Sequence, residues 1–294
     1  MKEVATIQAH TSHVMDVLFT KDSKVLLSAG MDNLIKLWSV PGWDPIASFE
    51  GHENSVNSLS LSQDEKILAS ASSDEMVRLW SFPSGEAGSV LQGHKKTVAS
   101  VAISPDQELV ASASYDSTVR LWSLGADEEK VVLKGHKKNV GSLAFSNDGK
   151  ILASGGLGGE MILWSIPEGE ALEKFEDHEV AAGSIEFSPE GNYLASSGGE
   201  QVVLIRSTKD WSIEQRIEIG SGSGYPGHIA FSPDWRLMAV GSPNKVSLWS
   251  VDQGELLGEI SLKPKGVYAL AFSPDGRWLA NAAADKRVRV WEMR

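Results

Sequence analysis

An all-β fold of seven repeats is the fold class that the sequence predicts, on the strength of two regularities. The first is a tryptophan that recurs at a spacing of about 42 residues along the 294-residue chain, with isoleucine in its place once. These register positions are Trp38, Trp80, Trp122, Trp164, Ile205, Trp249 and Trp291. The second is a short turn motif that recurs between apolar runs and indicates hairpins. Short strands at this period predict a seven-bladed β-propeller of four-stranded antiparallel blades, because each small sheet must cover its apolar faces with its neighbours.

Each repeat divides into four strands in the same order. The third repeat reads VASVAI, the turn SPDQ, ELVASAS, a tight turn and TVRLW, and a looser connection then leads to an outer strand. The turn between the first two strands recurs as SPDQ, SNDG, SPEG, SPDW and SPDG. Proline or asparagine followed by aspartate or glycine favours such a chain reversal. The pattern therefore predicts strands and hairpins over the whole chain.

The phase of the repeat predicts how the ring closes. The chain opens with VATIQAH, which matches the outer strand before the histidine of other repeats, as in SVLQGH. It ends on VRVWEMR, a third strand, so the last blade lacks a fourth strand of its own. We therefore expect residues 4–8 to complete the last blade, which removes an exposed sheet edge. We also expect residues 1–294 to form a single propeller domain.

Composition narrows the classes of function. The chain is 41% hydrophobic and 22% charged, as is ordinary for a globular protein. Because it has no cysteine, disulfides, thiolate metal sites and cysteine nucleophiles are excluded. The net charge of −12 argues against general binding to DNA. Since we recognise neither a secretory signal nor an apolar run of membrane-spanning length, we expect a cytoplasmic chain that is monomeric on its own, away from membranes.

The repeats resemble WD repeats. An aspartate occupies the tight turn in several repeats, and the strand after it ends in tryptophan. Three repeats also contain a Gly-His pair, at Gly51-His52, Gly93-His94 and Gly135-His136. The sequence departs from the family pattern in that five register tryptophans are followed by serine instead of aspartate. The resemblance covers the whole chain and implies a non-catalytic scaffold or adaptor that binds partner proteins or peptides on the loop face of the propeller.

Histidine, serine, aspartate and tryptophan recur together at a fixed spacing. A hydrolase triad also uses serine, histidine and aspartate, but a catalytic set occurs once, whereas this set is repeated. The resemblance to WD repeats implies a buried hydrogen-bonded network of four side chains, here called a tetrad, that ties strands to the tight turn. The complete tetrads are His10, Ser28, Asp32 and Trp38; His52, Ser70, Asp74 and Trp80; and His94, Ser112, Asp116 and Trp122. We therefore assign these residues a structural role.

The later repeats depart from the complete tetrad. The fourth repeat keeps the other three residues but has Gly158 at the aspartate position. The fifth has Glu200 and Ile205 at the aspartate and tryptophan positions, and the sixth and seventh have lost the histidine. Two interpretations stay open: simple divergence in a ring whose neighbours hold each blade, or an exchange of rigidity for a binding surface in blades 5 to 7.

The resemblance also implies where a partner binds. WD-repeat proteins generally use three loop positions per blade, which lie three and five residues after the histidine and one residue before the aspartate. The large side chains at these positions are His13, Met15, Met31, Tyr115, Leu157, Tyr225 and Tyr268. Those of blades 6, 7 and 1 are expected to form one arc, and Tyr115 and Leu157 a smaller pair. Aromatic residues and methionine are enriched at protein interfaces, so we expect these residues to bind a partner.

Two alternative functions stay open. An enzyme could use the central channel, but the first strands carry mainly Ser, Ala, Val and Asn, with Asp16 and Glu186 as isolated carboxylates. An RNA or a phosphorylated ligand could bind two basic pairs, Lys95, Lys96, Lys137 and Lys138. The histidines outside the tetrads, His13 and His228, lack companions at a metal-ligand spacing, so the sequence predicts no metal and no other cofactor.

Overall fold

The computed structural model of this chain describes residues 1–220, 227–262 and 266–293. The strands of these residues form seven antiparallel sheets of four strands each. The predicted fold class, an all-β seven-bladed propeller of four-stranded blades, is confirmed. A search of the described residues for a helix long and apolar enough to cross a membrane finds none.

Blades 1 to 4 each consist of four strands that are consecutive in the chain. Blade 1 contains β2 (Val14–Phe19), β3 (Val25–Gly30), β4 (Ile35–Ser39) and β5 (Pro45–Phe49). Blade 2 contains β6 (Val56–Leu61), β7 (Ile67–Ser72), β8 (Met76–Ser81) and β9 (Ala87–Gln92). Blade 3 contains β10 (Val98–Ile103), β11 (Leu109–Ser114), β12 (Thr118–Ser123) and β13 (Glu129–Lys134). Blade 4 contains β14 (Val140–Phe145), β15 (Ile151–Gly156), β16 (Met161–Ser165) and β17 (Ala171–Phe175).

Blades 5 and 6 repeat this order, whereas blade 7 combines the two ends of the chain. Blade 5 contains β18 (Ala182–Phe187), β19 (Tyr193–Gly198), β20 (Val202–Ser207) and β21 (Ile213–Glu218). Blade 6 contains β22 (His228–Phe231), β23 (Leu237–Ser242), β24 (Lys245–Ser250) and β25 (Leu256–Ser261). Blade 7 contains β26 (Val267–Phe272), β27 (Trp278–Ala283), β28 (Arg287–Glu292) and β1 (Lys2–Gln8).

The amino-terminal strand supplies the fourth strand of blade 7. β1 pairs antiparallel with β28, with Ile7 opposite Val288. A hydrogen bond of 3.1 Å from the Ala9 amide to the Lys286 carbonyl extends the pairing beyond the strand. The predicted closure is confirmed, and the strand begins at Lys2, two residues before the predicted segment.

The chain divides into two compact units. The first comprises Met1–Leu59, Pro83–Glu86 and His228–Arg294, and the second comprises Ser60–Phe82 and Ala87–Gly227. Within the first unit, β2 packs against β26 and β27, and β22 packs against β26. Within the second unit, β10 packs against β14, which also packs against β18. Blades that are neighbours in the repeat therefore cover one another's faces inside each unit.

The second strand of most blades is buried on both faces. Every residue of β11 and β27 is buried, and β3, β7, β15 and β19 are buried in all but their first residue. Segments such as LVASAS are rich in alanine and serine, which leave room for the side chains of the sheets on either side. The register tryptophans Trp80, Trp122, Trp164 and Trp291 are among the largest fully buried side chains. Repeated apolar clusters between sheets therefore form the core.

The recurring turn motif is a hydrogen-bonded hairpin between the first and second strands. In blade 3, Ser104 Oγ donates to Asp106 Oδ1 at 2.5 Å and accepts from the Leu109 amide at 2.9 Å. Gln107, in the fourth position of the turn, has a φ of 62°. Glycine adopts this left-handed conformation without strain, which explains why the motif ends in glycine in other blades.

Candidate functional site

The blade 1 tetrad is a continuous chain of hydrogen bonds. His10 Nδ1 donates to Asp32 Oδ1 at 2.7 Å, because a carboxylate only accepts. Ser28 Oγ donates to His10 Nε2 at 2.8 Å and accepts from Trp38 Nε1 at 2.9 Å. Asp32 Oδ2 accepts from the Thr11 amide at 2.8 Å. The network therefore joins the loop before β2 to the tight turn after β3.

The blade 3 tetrad has the same geometry. His94 lies 2.9 Å from Asp116 and 2.8 Å from Ser112, and Trp122 Nε1 donates to Ser112 Oγ at 2.9 Å. Asp116 also accepts from Thr118 Oγ1 at 2.6 Å. In blade 2, Trp80 Nε1 donates to Ser70 Oγ at 2.8 Å, and Asp74 Oδ1 accepts from the Met76 amide at 3.1 Å; His52 is buried.

Burial favours the neutral form of the histidine in the blade 1 and blade 3 tetrads, because it lowers the pKa of His10 and of His94. Burial lowers the pKa of His94, even though the neighbouring Asp116 acts in the opposite direction. Burial also acts to raise the pKa of Asp116, but hydrogen bonds from Thr118 and His94 outweigh it and hold that pKa at about 2. A neutral imidazole and an ionised carboxylate fit the donor and acceptor pattern of the network. The His94 side chain is only 1% exposed, so a substrate in solution cannot reach it.

Blade 4 takes its carboxylate from a position that the repeat register does not predict. Glu160, two residues after Gly158, places Oε1 3.3 Å from His136 Nδ1 and accepts from the Lys137 amide at 2.9 Å. Ser154 connects His136 to Trp164, as in the other tetrads. A side chain at Gly158 would collide with Glu160 Oε2. The repeat register places Gly158 at the aspartate position. It does not show that the longer side chain of Glu160 reaches back to the same place.

Blade 5 keeps the bonds of its histidine. His178 lies 2.6 Å from Glu200 Oε1 and 2.8 Å from Ser196 Oγ. Ile205 is buried at the tryptophan position. Blade 5 therefore retains the link from the turn to the strand without an indole donor.

In blades 6 and 7, the polar groups of Trp249 and Asp285, which remain at tetrad positions, have other partners. In blade 6, Trp249 Nε1 donates to Ser247 Oγ at 2.9 Å, two residues away in the same strand. In blade 7, Asp285 pairs with the buried Arg289 at 3.2 Å. The histidine positions of these blades, Gly222 and Lys263, lie outside the described residues. An arginine in the third strand thus provides the charge partner for the turn aspartate of blade 7.

A recurring backbone hydrogen bond brings the expected partner-binding positions together in pairs. The amide of the residue before the aspartate position donates to the carbonyl of the residue three after the histidine position. The donor and acceptor pairs are Met31 and His13 (2.8 Å), Tyr115 and Thr97 (2.9 Å), Leu157 and Asn139 (2.8 Å), Gly199 and Ala181 (3.1 Å), and Ala284 and Gly266 (3.0 Å). Two of the three expected positions in a blade are therefore adjacent in space.

Four of the expected partner-binding residues lie on β2, β26 and the loops of the first compact unit. The rings of His13 and Tyr268 stack with centroids 5.6 Å apart and planes inclined by 23°. Tyr268 Oη lies 3.4 Å from His13 Nδ1. Met31 is 40% exposed, and Met15 follows His13 by two residues with its side chain partly exposed. We name His13, Met15, Met31 and Tyr268 the His13–Tyr268 patch; the remaining expected member, Tyr225, lies outside the described residues.

The second compact unit contains the smaller predicted pair. Tyr115 and Leu157 are partly exposed, and Leu157 lies over Gly141, where an added Cβ would be 3.4 Å from Leu157 Cδ2. Lys137 Nζ pairs with Glu176 Oε1 at 3.0 Å. The other lysines of the two basic pairs are Lys95, Lys96 and Lys138, all exposed. This surface therefore combines basic and apolar side chains.

Asp16 is a carboxylate that joins β2 to the start of β6 within the first compact unit. Its Oδ2 accepts from the Leu59 amide of β6 at 2.7 Å, and its Oδ1 accepts from the Val17 amide at 2.8 Å. Burial raises the pKa of Asp16 to about 7, although both hydrogen bonds act to lower it. The equivalent residues of blades 2 to 5 are Ser58, Ser100, Ser142 and Ser184. Asp16 is thus a departure from the repeat that the sequence itself displays.

The described residues contain no group of three or more histidine, aspartate or glutamate side chains arranged to hold a metal ion. The histidines of the tetrads each face one carboxylate and one serine hydroxyl. Such a set leaves these ring nitrogens no free electron pair for a metal.

The repeat geometry agrees with a known family of domains. The family described as WD domain, G-beta repeat matches six segments of the chain, residues 1–39, 43–81, 85–123, 128–165, 169–205 and 254–292. The chain belongs to the WD40 repeat family. The matched segments contain the tetrad tryptophans Trp38, Trp80, Trp122 and Trp164. WD40 propellers are generally non-catalytic and bind other proteins.

Individual relatives of this WD40 chain match it over short segments. The small ribosomal subunit protein RACK1y of Oryza sativa subsp. japonica is 30% identical over 92 residues, which are 30% of this chain and 27% of that protein. WD repeat-containing protein 1 of Mus musculus is 30% identical over 82 residues, 26% of this chain and 14% of that protein. The coronin-like protein of Saccharomyces cerevisiae is 38% identical over 71 residues, 23% of this chain and 11% of that protein. The alignments span less than a third of each relative.

Proposed function

We propose that this WD40 chain is a non-catalytic scaffold that binds a partner protein or peptide through the His13–Tyr268 patch. The observation that carries the proposal is the stacked pair of rings beside Met31, a large apolar side chain that is 40% exposed. Aromatic residues and methionine are enriched at protein interfaces, where they supply contact area. Methionine also adapts its shape to the partner.

The patch is held in place before a partner arrives. The Met31 amide is bonded to the His13 carbonyl at 2.8 Å, so the tight turn and the loop before β2 are connected. The stack fixes the rings of His13 and Tyr268 against each other. A fixed surface loses little conformational entropy on binding, which leaves more of the contact energy for affinity. The partner segment that suits this patch is apolar.

The histidines of the tetrads support a non-catalytic role. The same bonding pattern occurs in blades 1, 3, 4 and 5, and the histidine side chains there are at most 3% exposed. A catalytic base must come within hydrogen-bond reach of its substrate. Repetition and burial together favour a role in holding each blade.

The test compares His13→Ala/Tyr268→Ala with wild type in a partner-capture experiment. Removing both rings takes away the stack and all of the aromatic area of the patch, so the partner is expected to bind at least about tenfold more weakly. Each protein is used to capture partners from an extract of the native host, and mass spectrometry identifies the captured proteins. The affinity of each purified candidate is then measured by titration calorimetry.

A matched control removes exposed apolar side chains elsewhere in the same compact unit. Ile46 in β5 and Leu257 in β25 are each 53% exposed, and Ile46→Ala/Leu257→Ala should leave the affinity unchanged. All three proteins are first shown to have equal melting temperatures. A partner that binds the ring-deleted variant as tightly as wild type would exclude the patch as its binding site.

A further inference from the structure

A second surface, on the other compact unit, carries positive charge that the protein does not neutralise. Lys95, Lys96 and Lys138 are exposed and have no ion-pair partner among the described residues. Lys137 differs, because it pairs with Glu176. We define the basic loop surface as Lys95, Lys96 and Lys138 with the neighbouring Tyr115 and Leu157. Three free ammonium groups in a chain of net charge −12 call for an explanation.

The carboxylates of the same loops and turns are turned inward. The side chains of Asp116 and Glu160 are 8% and 4% exposed and face the histidines of their own blades. They also accept hydrogen bonds from the backbone amides of Lys95 and Lys137, at 3.0 and 2.9 Å. The tetrads therefore fix the backbone of both basic loops while leaving the ammonium groups in solvent.

The basic loop surface is confined to two blades that pack against each other. The first lysine of each basic pair directly follows a tetrad histidine, and in blades 2 and 5 the residue at that position is Glu53 or Glu179. β10 of blade 3 packs against β14 of blade 4 within the second compact unit. The two loops that precede these strands therefore form one local basic surface, not a long basic stripe.

We propose that the basic loop surface binds a phosphorylated peptide segment of a partner protein. A phosphoryl group carries about two negative charges and three acceptor oxygens, so ammonium groups from two loops can share it. Lysine binds phosphate as a point charge, whereas carboxylates are held best by the planar fork of arginine. The arginine of β12, Arg120, is already paired with Glu129. The chemistry of the exposed cations thus favours phosphate over a carboxylate.

The flanking side chains favour a peptide over a nucleic acid. Tyr115 and Leu157 are partly exposed beside the basic loops and offer apolar contacts to residues on either side of a phosphorylated one. A nucleic acid carries a phosphate at every nucleotide and usually needs an extended basic face. In blade 5 of the same compact unit, Glu179 at the equivalent loop position would repel such a chain. This surface lies in a different compact unit from the His13–Tyr268 patch, so the proposal goes beyond the proposed function.

The test measures the fluorescence anisotropy of a labelled peptide pool with a central phosphoserine between randomised residues. The comparison pool carries serine at the centre. The test variant is Lys95→Gln/Lys96→Gln/Lys138→Gln, which keeps side-chain length and removes three charges. The control is Lys24→Gln/Lys66→Gln/Lys150→Gln, which removes three charges from exposed lysines of hairpin turns.

The expected result is that the wild type and the control bind the phosphorylated pool at least about tenfold more tightly than the serine pool. The test variant should lose this preference, and the wild-type affinity should fall as the salt concentration rises, because exposed charges are screened. His13→Ala/Tyr268→Ala should bind the phosphorylated pool as tightly as wild type does. The experiment therefore tests phosphopeptide binding at the basic loop surface separately from partner binding at the His13–Tyr268 patch.

Three outcomes would overturn the proposal. The first is equal binding of the two pools by the wild type, including no binding of either. The second is equal binding of the phosphorylated pool by the test variant and the control. The third is tighter binding of a single-stranded RNA of equal length than of the phosphorylated pool, which would assign the surface to nucleic acid.

Discussion

At the scale of single residues, Glu160 and Gly158 form a pair in which each requires the other. A Cβ at residue 158 would displace the Glu160 carboxylate, which accepts from the His136 ring and the Lys137 amide. In blade 3 the equivalent positions hold an aspartate and a threonine that bond to each other at 2.6 Å. The two blades therefore place a carboxylate beside the histidine by two different pairs of residues.

This pairing predicts strong coupling in a double-mutant cycle on blade 4. Gly158→Asp alone adds a second carboxylate in the space of Glu160, and Glu160→Thr alone removes the acceptor for His136. Each should lower the free energy of unfolding by about 1–3 kcal/mol. Gly158→Asp/Glu160→Thr recreates the pair of blade 3 and should recover most of this loss, with a coupling energy of about 1–3 kcal/mol. Urea unfolding of the four proteins measures it, and additive effects would contradict the pairing.

The tetrads also show what the sequence predicts at this scale. Their spacing and their bonding pattern followed from the repeat and from its resemblance to WD repeats. The carboxylate of blade 4 did not, because the register compares residues at one position, whereas the reach of a side chain depends on its length. In the same way, the repeat register predicts a histidine as the partner of the turn aspartate. It does not predict that Arg289, in the third strand, pairs with Asp285.

At the scale of elements, Asp16 connects β2 to the start of β6 within the first compact unit. The backbone amide of Leu59 in β6 donates a hydrogen bond of 2.7 Å to the side-chain carboxylate of Asp16 in β2. Ser142 makes a related bond in the second compact unit, where its Oγ donates to the Ala182 carbonyl at 3.1 Å. A serine hydroxyl makes such a link without a charge. Asp16, in contrast, places a negative charge in a buried site when its carboxyl group ionises. The strands and turns were predictable, but burial at this position was not visible in the sequence.

The pKa of Asp16 predicts an unusual dependence of stability on pH. Its pKa is raised by burial from 3.8 to about 7 in the folded state, so the folded protein binds this proton more tightly than the unfolded chain does. The contribution of Asp16 to stability is therefore fully present below about pH 4 and is lost as pH rises to about 7. At about 1.4 kcal/mol per pKa unit, the total loss is at most about 4 kcal/mol.

Asp16→Ser, which introduces the residue found at this position in blades 2 to 5, should remove this dependence. The variant should gain stability relative to wild type as pH rises from about 5 to about 8, by about 1–3 kcal/mol. The exposed Glu190→Gln is the control for a change of net charge. Urea unfolding at both pH values gives the difference, and a gap between Asp16→Ser and wild type that is constant with pH would refute the assignment.

At the scale of the whole molecule, the period and the phase of the repeat were sufficient to predict the number of blades and the closing strand. The period counts the repeats, and the phase shows that the last blade lacks a strand which the amino terminus can supply. The stack of His13 and Tyr268 is harder to predict, because the two residues are 255 positions apart. They meet because blades 1 and 7 pack against each other within one compact unit. Surface contacts of this kind depend on rotamers and loop paths that no repeat register specifies.

The closing strand predicts how the protein responds to loss of its first residues. Removal of residues 1–8 takes Ile7 out of an apolar cluster that contains Trp38, Val288 and Val290, and it leaves β28 unpaired along one edge. Loss of a buried isoleucine side chain alone typically costs about 2–5 kcal/mol, so the melting temperature should fall by about 10 °C or more. Ile7→Ala, which keeps the strand, should show a smaller decrease in the same direction.

A synthetic peptide of residues 1–9, added to the truncated protein, should raise its melting temperature again by refilling the place of β1. The same peptide with Ile7→Asp should not, because a carboxylate in the apolar cluster is unfavourable when it has no partner. Differential scanning calorimetry of the truncated protein with each peptide distinguishes the cases. If truncation leaves the melting temperature unchanged, or if both peptides act alike, the pairing of β1 with β28 does not stabilise blade 7. Rescue by the wild-type peptide alone would show that blade 7 depends on this pairing even when the covalent link to the rest of the chain is absent.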